Sequence, residues 1–206
     1  MKYRSDATSW RRVVFVGSGS VLLLLAAGCQ TYQQQTAEFT AESKAGSLAA
    51  AVATINKKAD ASKGSKDEII WRLEQGATLR SAALADPSMV PPPPVAQAAD
   101  APKAGEPPVP PPPPKPEEVH GFYFAKSTEA FDLAEARVND YEEQAKVKVG
   151  SEVGAALTNQ ATLPYRGRAY DKVMMDTYKA INCLQLGNKD RARVELNRAL
   201  QRERDE

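Results

Sequence analysis

The residues with the clearest chemistry in this sequence are Gly28 and Cys29, which stand where an apolar run ends in small side chains. Four basic residues precede the run: Lys2, Arg4, Arg11 and Arg12. A positive segment, a short apolar segment and a small-residue junction are the three parts of a secretory signal. We therefore expect residues 1–28 to be a signal peptide and the peptide bond between Gly28 and Cys29 to be cleaved.

The order Ala26-Ala27-Gly28-Cys29 resembles the lipobox of bacterial lipoproteins, although Ala26 stands where a lipobox usually has leucine. The resemblance implies that Cys29 is acylated and becomes the first residue of the mature chain, so that membrane lipid is one expected partner. Gln30 follows the cysteine, and in Gram-negative sorting a non-acidic residue there implies the outer membrane, facing the periplasm. The alternatives are a secreted chain without lipid and an uncleaved anchor, for which the run falls short of roughly 20 residues.

Other constellations that could support catalysis are scarce. Glu117, Glu118 and His120 could form a metal cluster, but carboxylates beside a proline-rich arm are more typical of a solvated surface. His120 is the only histidine, which removes most metal sites and triads. Cys183 occupies a helical packing position without a nearby histidine, which favours a buried thiol. We predict no enzyme activity, no metal and no cofactor.

A second group of candidate residues lies before the C-terminal helices: Tyr165, Arg166, Arg168 and Tyr170. Guanidinium groups among aromatic rings can stack on them or bind a carboxylate through two parallel hydrogen bonds. We regard these four residues as possible partner contacts. The alternative is a loop whose tyrosines pack on the neighbouring helix.

Charge and cysteine content exclude several function classes. Residues 1–28 hold four basic residues and one acidic residue, so their removal changes the net charge from +1 to −2. A nearly neutral chain has no electrostatic footprint for nucleic acid. Cys29 and Cys183 are the two cysteines. If Cys29 is acylated, a disulfide framework is excluded.

The prolines divide the chain. Fourteen of the fifteen lie between Pro87 and Pro116. Proline lacks a backbone donor and favours polyproline II, so this segment cannot form a helix or a sheet ladder. We predict a signal peptide (1–28), N-terminal helices (29–86), a disordered proline-rich insertion (87–119) and a helical region (120–206). The insertion is a spacer or, alternatively, a docking track for an aromatic groove.

Everything outside the insertion predicts helices, so the predicted fold class is all-α. We expect helices over Tyr32–Ala59, from a Ser65–Glu68 capping box to Pro87, over Ser127–Lys148, from about Tyr170 to a turn at Gly187, and from a cap at Asp190 onward.

Each of the first four predicted helices has one face with apolar residues at helical spacing: Ala41, Ala45, Leu48, Val52, Ile55 and Ala59 in the first; Ile70, Leu73, Ala77 and Leu84 in the second; Phe131, Ala134, Val138, Tyr141 and Ala145 in the third; and Tyr170, Val173, Met174, Tyr178, Ile181 and Leu184 in the fourth.

We expect the charges of the last helix to form a solvated face: Arg191, Arg193, Glu195, Arg198, Arg202, Glu203 and Arg204. The spacing allows Glu195 to pair with Arg191 and with Arg198 along this face.

The last two helices resemble a tetratricopeptide repeat (TPR) through the spacing of their packing residues: Ala180, Cys183, Gly187, Ala192, Leu196 and Ala199. A second match is split by the prolines, with Gly76 and Leu79 in its first helix and Ser127, Phe131 and Ala134 in its second. With the lipobox, residues 158–174 resemble functionally uncharacterised bacterial envelope lipoproteins that contain TPR-like hairpins. Relatives continue further, so this resemblance implies a chain truncated at its C-terminal end.

The resemblance implies a membrane-anchored lipoprotein that acts as a TPR-like scaffold for protein–protein interaction at the cell envelope, with an unknown envelope protein as partner. Stacked hairpins offer a concave groove to a segment of another protein. Two alternatives remain open. The chain is a structural spacer that uses the proline-rich arm, or it is the N-terminal part of a larger enzyme.

Overall fold

The computed structural model describes residues 32–94, 112–147 and 164–205. The chain divides into two compact units, residues 1–38 and 39–206. The described part of the chain is all-α, as predicted, and contains no strand. Its helices are α1 (Tyr32–Lys44), α2 (Leu48–Ala61), α3 (Glu68–Leu84), α4 (Pro116–Val147), α5 (Ala169–Gln185) and α6 (Lys189–Arg204), with one 3-10 turn at Pro87–Met89.

The first predicted helix is in fact two helices. Gly46 adopts a φ of +73°, a left-handed conformation that ends α1 before α2 begins at Leu48. Val52, Ile55 and Ala59 of the predicted apolar stripe are buried, whereas Ala41 and Ala45 before the break are exposed. Only the part of the stripe that belongs to α2 therefore contributes to the core.

Helices α3 and α4 pack antiparallel, and they are the two helices that the split pattern assigned to one repeat. The hydroxyl of Ser127 donates to the carbonyl of Gly76 at 2.7 Å, and the ring of His120 lies 2.7 Å from the carbonyl of Ala83. Gly76 permits this close approach, because a Cβ at that position would lie 2.4 Å from Cε1 of Phe131. The proline-rich insertion thus leaves and rejoins the same end of an antiparallel helix pair.

Helix α4 begins earlier than predicted, at Pro116 rather than near Ser127. Proline is well suited to the first position of a helix, since its φ is preset and the N–H that it lacks would have no helical partner. Glu118 adds a cap by accepting from the backbone N–H of Lys115 at 3.1 Å. Residues 116–119, assigned above to the insertion, are therefore helical. The middle of the insertion, residues 95–111, lies outside the described residues.

Helices α5 and α6 form an antiparallel hairpin closed at Gly187, which has a φ of +75°. The predicted turn is correct, but its cap is not. The side chain of Asn188, not that of Asp190, accepts from the backbone N–H of Arg191 at 3.0 Å. Asn188 directly precedes the first helical residue, and that position lets a side-chain oxygen reach the free N–H groups of the first turn.

The apolar faces predicted for α3 and α5 are only partly buried. On α3, Ile70, Leu73 and Ala77 are half-buried and Leu84 is 63% exposed, whereas the buried residues include Ile69, Arg72, Gln75, Gly76 and Leu79. On α5, Tyr170, Met174 and Leu184 are exposed and Val173, Tyr178 and Ile181 are half-buried, whereas the buried residues are Met175, Asp176, Lys179, Ala180, Asn182 and Cys183. Helix α5 therefore buries its more polar side, which makes ionic contacts with α4 and α6.

Among the described helices, none combines the length and the apolar character needed to cross a bilayer. The apolar run before Cys29 lies outside the described residues, as do Gly28 and Cys29 themselves.

Candidate functional site

A buried ionic network joins α4, α5 and α6 around Lys179. The side chain of Lys179 is fully buried, and its Nζ lies 2.6 Å from Glu135, 3.0 Å from Asp132 and 3.0 Å from Glu195. Burial disfavours the charged amine, but the hydrogen bonds and charges of Glu135, Asp132 and Glu195 outweigh burial and raise the pKa of Lys179. The charged form of Lys179 is therefore favoured, and its ammonium group contacts carboxylates of α4 and α6 from α5.

Three arginines of α6 complete the network from its rim. Arg191 contacts Asp132 at 2.5 Å, Arg198 contacts Glu135 at 3.2 Å, and Arg202 contacts Glu135 at 3.2 Å. The predicted pairs of Glu195 with Arg191 and with Arg198 are also present, at 3.5 and 3.1 Å. The expectation of a solvated face is wrong for Glu195, which is only 2% exposed and contacts Lys179. It is correct for Arg193, Arg198, Glu203 and Arg204, which are exposed, whereas Arg191 and Arg202 are half-buried.

The carboxylates of Glu135, Asp176 and Glu195 offer oxygens within 4.8 Å of one another, a spacing that a divalent cation could bridge. The Nζ of Lys179 contacts two of the three, Glu135 and Glu195. The lysine ammonium thus already supplies a positive charge to these carboxylates. The geometry is that of a compensated ion cluster, and it supports a structural role.

Asp176 is the least satisfied member of the network. It is fully buried, and neither carboxylate oxygen has a hydrogen bond from the described residues, although Arg202 Nε lies 2.9 Å from Oδ2. Burial raises the pKa of Asp176 to about 6, and the positive charge of Arg202 opposes that rise. This carboxyl group therefore takes up a proton at mildly acidic pH.

A groove of about 580 Å³ lies between α2, α3 and α4. One wall is formed by the chain's own residues Pro91, Pro92 and Pro94. The hydroxyl of Tyr123 donates to the carbonyl of Pro91 at 2.6 Å. Phe122 and Leu133 add apolar surface, and Leu133 is 45% exposed. This groove therefore already binds an extended proline segment along one side.

Polar residues of α2 and α3 also line the groove: Asn56, Asp60, Arg72 and Gln75. The guanidinium of Arg72, 6% exposed, donates to Gln75 at 2.7 Å and to Asp60 at 3.1 Å. The amide of Gln75 in turn donates to Asn56 at 2.8 Å. The Nε of Arg72 has no hydrogen-bond acceptor among the described residues. The groove thus combines apolar contacts with a buried donor, the combination that fixes the position of an extended peptide.

The four predicted partner contacts lie together at the start of α5. The Tyr165 hydroxyl donates to the carboxylate of Asp171, and burial, followed by that bond, raises the pKa of Tyr165. The guanidinium of Arg168 lies 5.9 Å from the ring centroid of Tyr170 and donates to its hydroxyl at 3.3 Å. Arg166 is exposed. Tyr165 thus bonds to Asp171, whose carboxylate caps the helix by accepting from the backbone N–H of Arg168 at 3.1 Å, whereas Arg166, Arg168 and Tyr170 are exposed.

The weaker sequence candidates have structural contacts. Glu118 caps α4, and His120 contacts the carbonyl of Ala83, so these side chains do not converge on one point. Cys183 is 2% exposed, as predicted, and burial raises the pKa of its thiol. Such a thiol is mostly protonated at neutral pH and is a poor nucleophile.

Sequence reasoning missed the groove and the core of the ionic network. Asp176, Lys179 and Asn182 repeat at every third position of α5, which is a visible polar stripe. Its inward orientation could be inferred only together with the carboxylates of α4. The sequence signal for the groove was weaker. Tyr123 and the Pro91 segment that it contacts are distant in the sequence, so their proximity could not be inferred.

Comparison of the chain with protein-family models, with curated proteins and with solved structures finds no match. Functional inference therefore depends on the sequence and on the geometry described above.

Proposed function

We propose that this chain is a lipid-anchored, non-catalytic interaction protein of the bacterial cell envelope, in which TPR-like hairpins present a groove to an extended segment of a partner protein. The observation that carries the proposal is the hydrogen bond from Tyr123 to the Pro91 carbonyl in a groove with room for more chain. Aromatic-lined grooves bind polyproline segments because such segments are already extended and lose little conformational entropy.

The hairpins support the TPR-like assignment through their packing. Gly76 lies against Phe131 in the α3–α4 pair, which allows the two helix backbones to approach closely. Ala180, Cys183, Ala192 and Ala199 are buried in the α5–α6 hairpin, at the positions where the repeat pattern expects packing residues. Leu196 departs from the pattern, since it is 42% exposed.

The alternative of a spacer has less support. Because α3 and α4 are antiparallel, the two ends of the proline-rich segment are held at the same end of the helix pair. A segment that must leave and return reaches at most half of its contour length. The alternative of a larger enzyme has no supporting cluster among the described residues.

The groove is tested with a fluorescent peptide of residues 105–115, used as a proline-rich probe in an anisotropy titration against the full chain. We expect binding that Leu133→Glu weakens at least about ten-fold, since a charge placed in the apolar wall would be desolvated by the peptide. Leu84→Glu is the matched control, because Leu84 is 63% exposed and does not line the groove. Absence of binding, or equal losses of affinity in both variants, would refute the proposal that this groove binds a proline-rich peptide.

The lipid anchor is tested separately by intact-mass analysis of membrane-extracted protein beside a Cys29→Ala variant. We expect a mature chain that begins at Cys29 and carries the mass of acyl chains, and no such product from the variant. An unmodified or uncleaved N-terminus would remove the anchor from the proposal without affecting the result for the groove.

A further inference from the structure

Because α5 buries its polar side, an apolar stripe lies on the outer face of this helix. Five residues recur at intervals of four, three, four and three: Tyr170, Met174, Thr177, Ile181 and Leu184. The side chains of Tyr170, Met174 and Leu184 are 58%, 43% and 51% exposed. This spacing is the one with which a helix packs along another helix. The stripe therefore resembles half of an interface.

Helix α6 extends the same face. Arg193, Leu196, Leu200 and Glu203 recur at intervals of three, four and three, and the two leucines are 42% and 48% exposed. The inward side of α6 is marked by three buried residues: Ala192, Glu195 and Ala199. Arg198 and Arg202 of α6 contact Glu135 of α4. At about 100° per residue, Leu196 and Leu200 lie roughly 120–160° round the helix from these arginines, and so on the side of the hairpin away from α4. The α5 stripe lies on that side too.

The two stripes are centred at the same level of the hairpin. Lys179 Nζ contacts Glu195 Oε2 at 3.0 Å, so residue 179 of α5 is level with residue 195 of α6. Because the helices are antiparallel, Thr177 is then level with Asn197. Thr177 is the midpoint of the α5 stripe, and the midpoint between Arg193 and Glu203 is Arg198. The two midpoints thus differ by one residue, or about 1.5 Å along the axis.

We propose that this face is where two copies of the chain pair, antiparallel, about a two-fold axis that crosses α5 near Thr177 and α6 near Arg198. Around this axis Tyr170 of one copy lies opposite Leu184 of the other, and Leu196 lies opposite Leu200. Each pair occurs twice, as an interface between identical copies requires.

Charge complementarity favours a second copy as the occupant. The same axis places Arg193 of one copy level with Glu203 of the other, and again in reverse, so both ends of the α6 pair carry opposite charges. A self-paired face must match residue i with residue j in both directions. The leucines at the centre of the α6 pair and the opposite charges at its ends satisfy that requirement, with the offset of about 1.5 Å between the α5 and α6 midpoints.

The proposal is tested by cross-linking in cells that express the full chain. Thr177→Cys places a thiol on the axis, beside its own counterpart in the second copy. Gln201→Cys is the control, because residue 201 is exposed on another side of α6. We expect mild oxidation to give a covalent dimer for Thr177→Cys and none for Gln201→Cys or for the chain with only Cys29 and Cys183.

Charge exchange in the Thr177→Cys background tests the register. Arg193→Glu brings two like charges together and should lower the dimer yield about ten-fold, whereas adding Glu203→Arg should restore it. Equal cross-linking at residue 201, or no loss with Arg193→Glu, would overturn the proposal. The proposal would also be overturned if the chain stays monomeric because residues 148–163 or a different protein cover this face. Protection of α5 from hydrogen exchange in the monomer would identify such a cover.

Discussion

Gly76 and Phe131 are in contact across the α3–α4 pair with no space between them: a Cβ on Gly76 would lie 2.4 Å from Cε1 of the ring. Phe131 is 2% exposed and packs with Ala134 and Met175, so its ring has little freedom to move away. The close approach of the two helices therefore depends on the absence of a side chain at position 76.

Gly76→Ala is expected to destabilise the fold. Overpacking a core costs about 1–3 kcal/mol, which outweighs the gain of up to about 1 kcal/mol from replacing a helical glycine by alanine. The free energy of unfolding from urea titration measures the difference. Gly121→Ala is the matched control, since a Cβ there meets nothing within 4 Å, and this variant should be more stable than the parent chain. Equal effects of the two substitutions would contradict this account.

Lys179→Met should lower the free energy of unfolding by about 3–5 kcal/mol, because it leaves the carboxylates of Glu135 and Glu195 buried without their central cation. Lys126→Met removes a surface ion pair with Glu129 and should cost less than about 1 kcal/mol. Chemical denaturation at neutral pH measures both. A loss below about 1 kcal/mol for Lys179→Met would show that the network contributes little to stability.

Asp176 should make stability depend on pH. Its pKa in the folded chain is about 6, above the ordinary value of 3.8, so between these values the folded state binds more protons than the unfolded state. Stability from this group therefore rises as pH falls from about 7 to about 4, by at most about 1.4 kcal/mol per pH unit.

Asp176→Asn removes the titrating carboxyl group and tests whether Asp176 causes the pH dependence of stability. The variant should be more stable than the parent chain at pH 7.5, because a buried charge without hydrogen bonds is gone, and Arg202 retains Glu135 at 3.2 Å. The gain should shrink as pH is lowered to 5, where the parent chain is protonated. Thermal unfolding at both pH values measures this, and a gain independent of pH would argue against Asp176 as the titrating group.

The structure and the sequence assign the N-terminal cap of α6 to different residues, Asn188 and Asp190. Asn188→Ala should cost about 1 kcal/mol through loss of the bond to the Arg191 N–H, whereas Asp190→Ala should cost only the smaller dipole contribution of about 0.3–1 kcal/mol. Urea denaturation compares the two variants. The reverse order would return the capping role to Asp190.

Local sequence signals predicted the existence of the helices well and their ends less well. Phe131, Ala134 and Val138 of α4 are buried as their spacing predicts. The break at Gly46 and the start of α4 at Pro116 were missed. Both positions carry residues that are compatible with more than one backbone conformation, and only the packing around them selects one.

The candidate site was predictable only in part. Arg191, Glu195 and Arg198 were expected to pair along α6, and they do. The expectation of solvent exposure was wrong only for Glu195, because no local pattern reveals its contact with Lys179 of α5 or the carboxylates of Asp132 and Glu135 in α4 that the arginines contact.

The sequence by itself determined that the described part of the chain is all-α, that α3 and α4 contain the packing residues of one helix pair, and that a turn closes at Gly187. These features follow from periodicity and backbone preference, which are local properties. Tertiary structure decided which side of α5 is buried. The contacts of Lys179 with Glu135 and Glu195 join residues that are distant in the chain, and the side of α5 that makes them is buried, whereas Tyr170, Met174 and Leu184 on the other side are exposed in the single chain. A balance between groups brought together only by folding cannot be deduced from the periodicity of one helix.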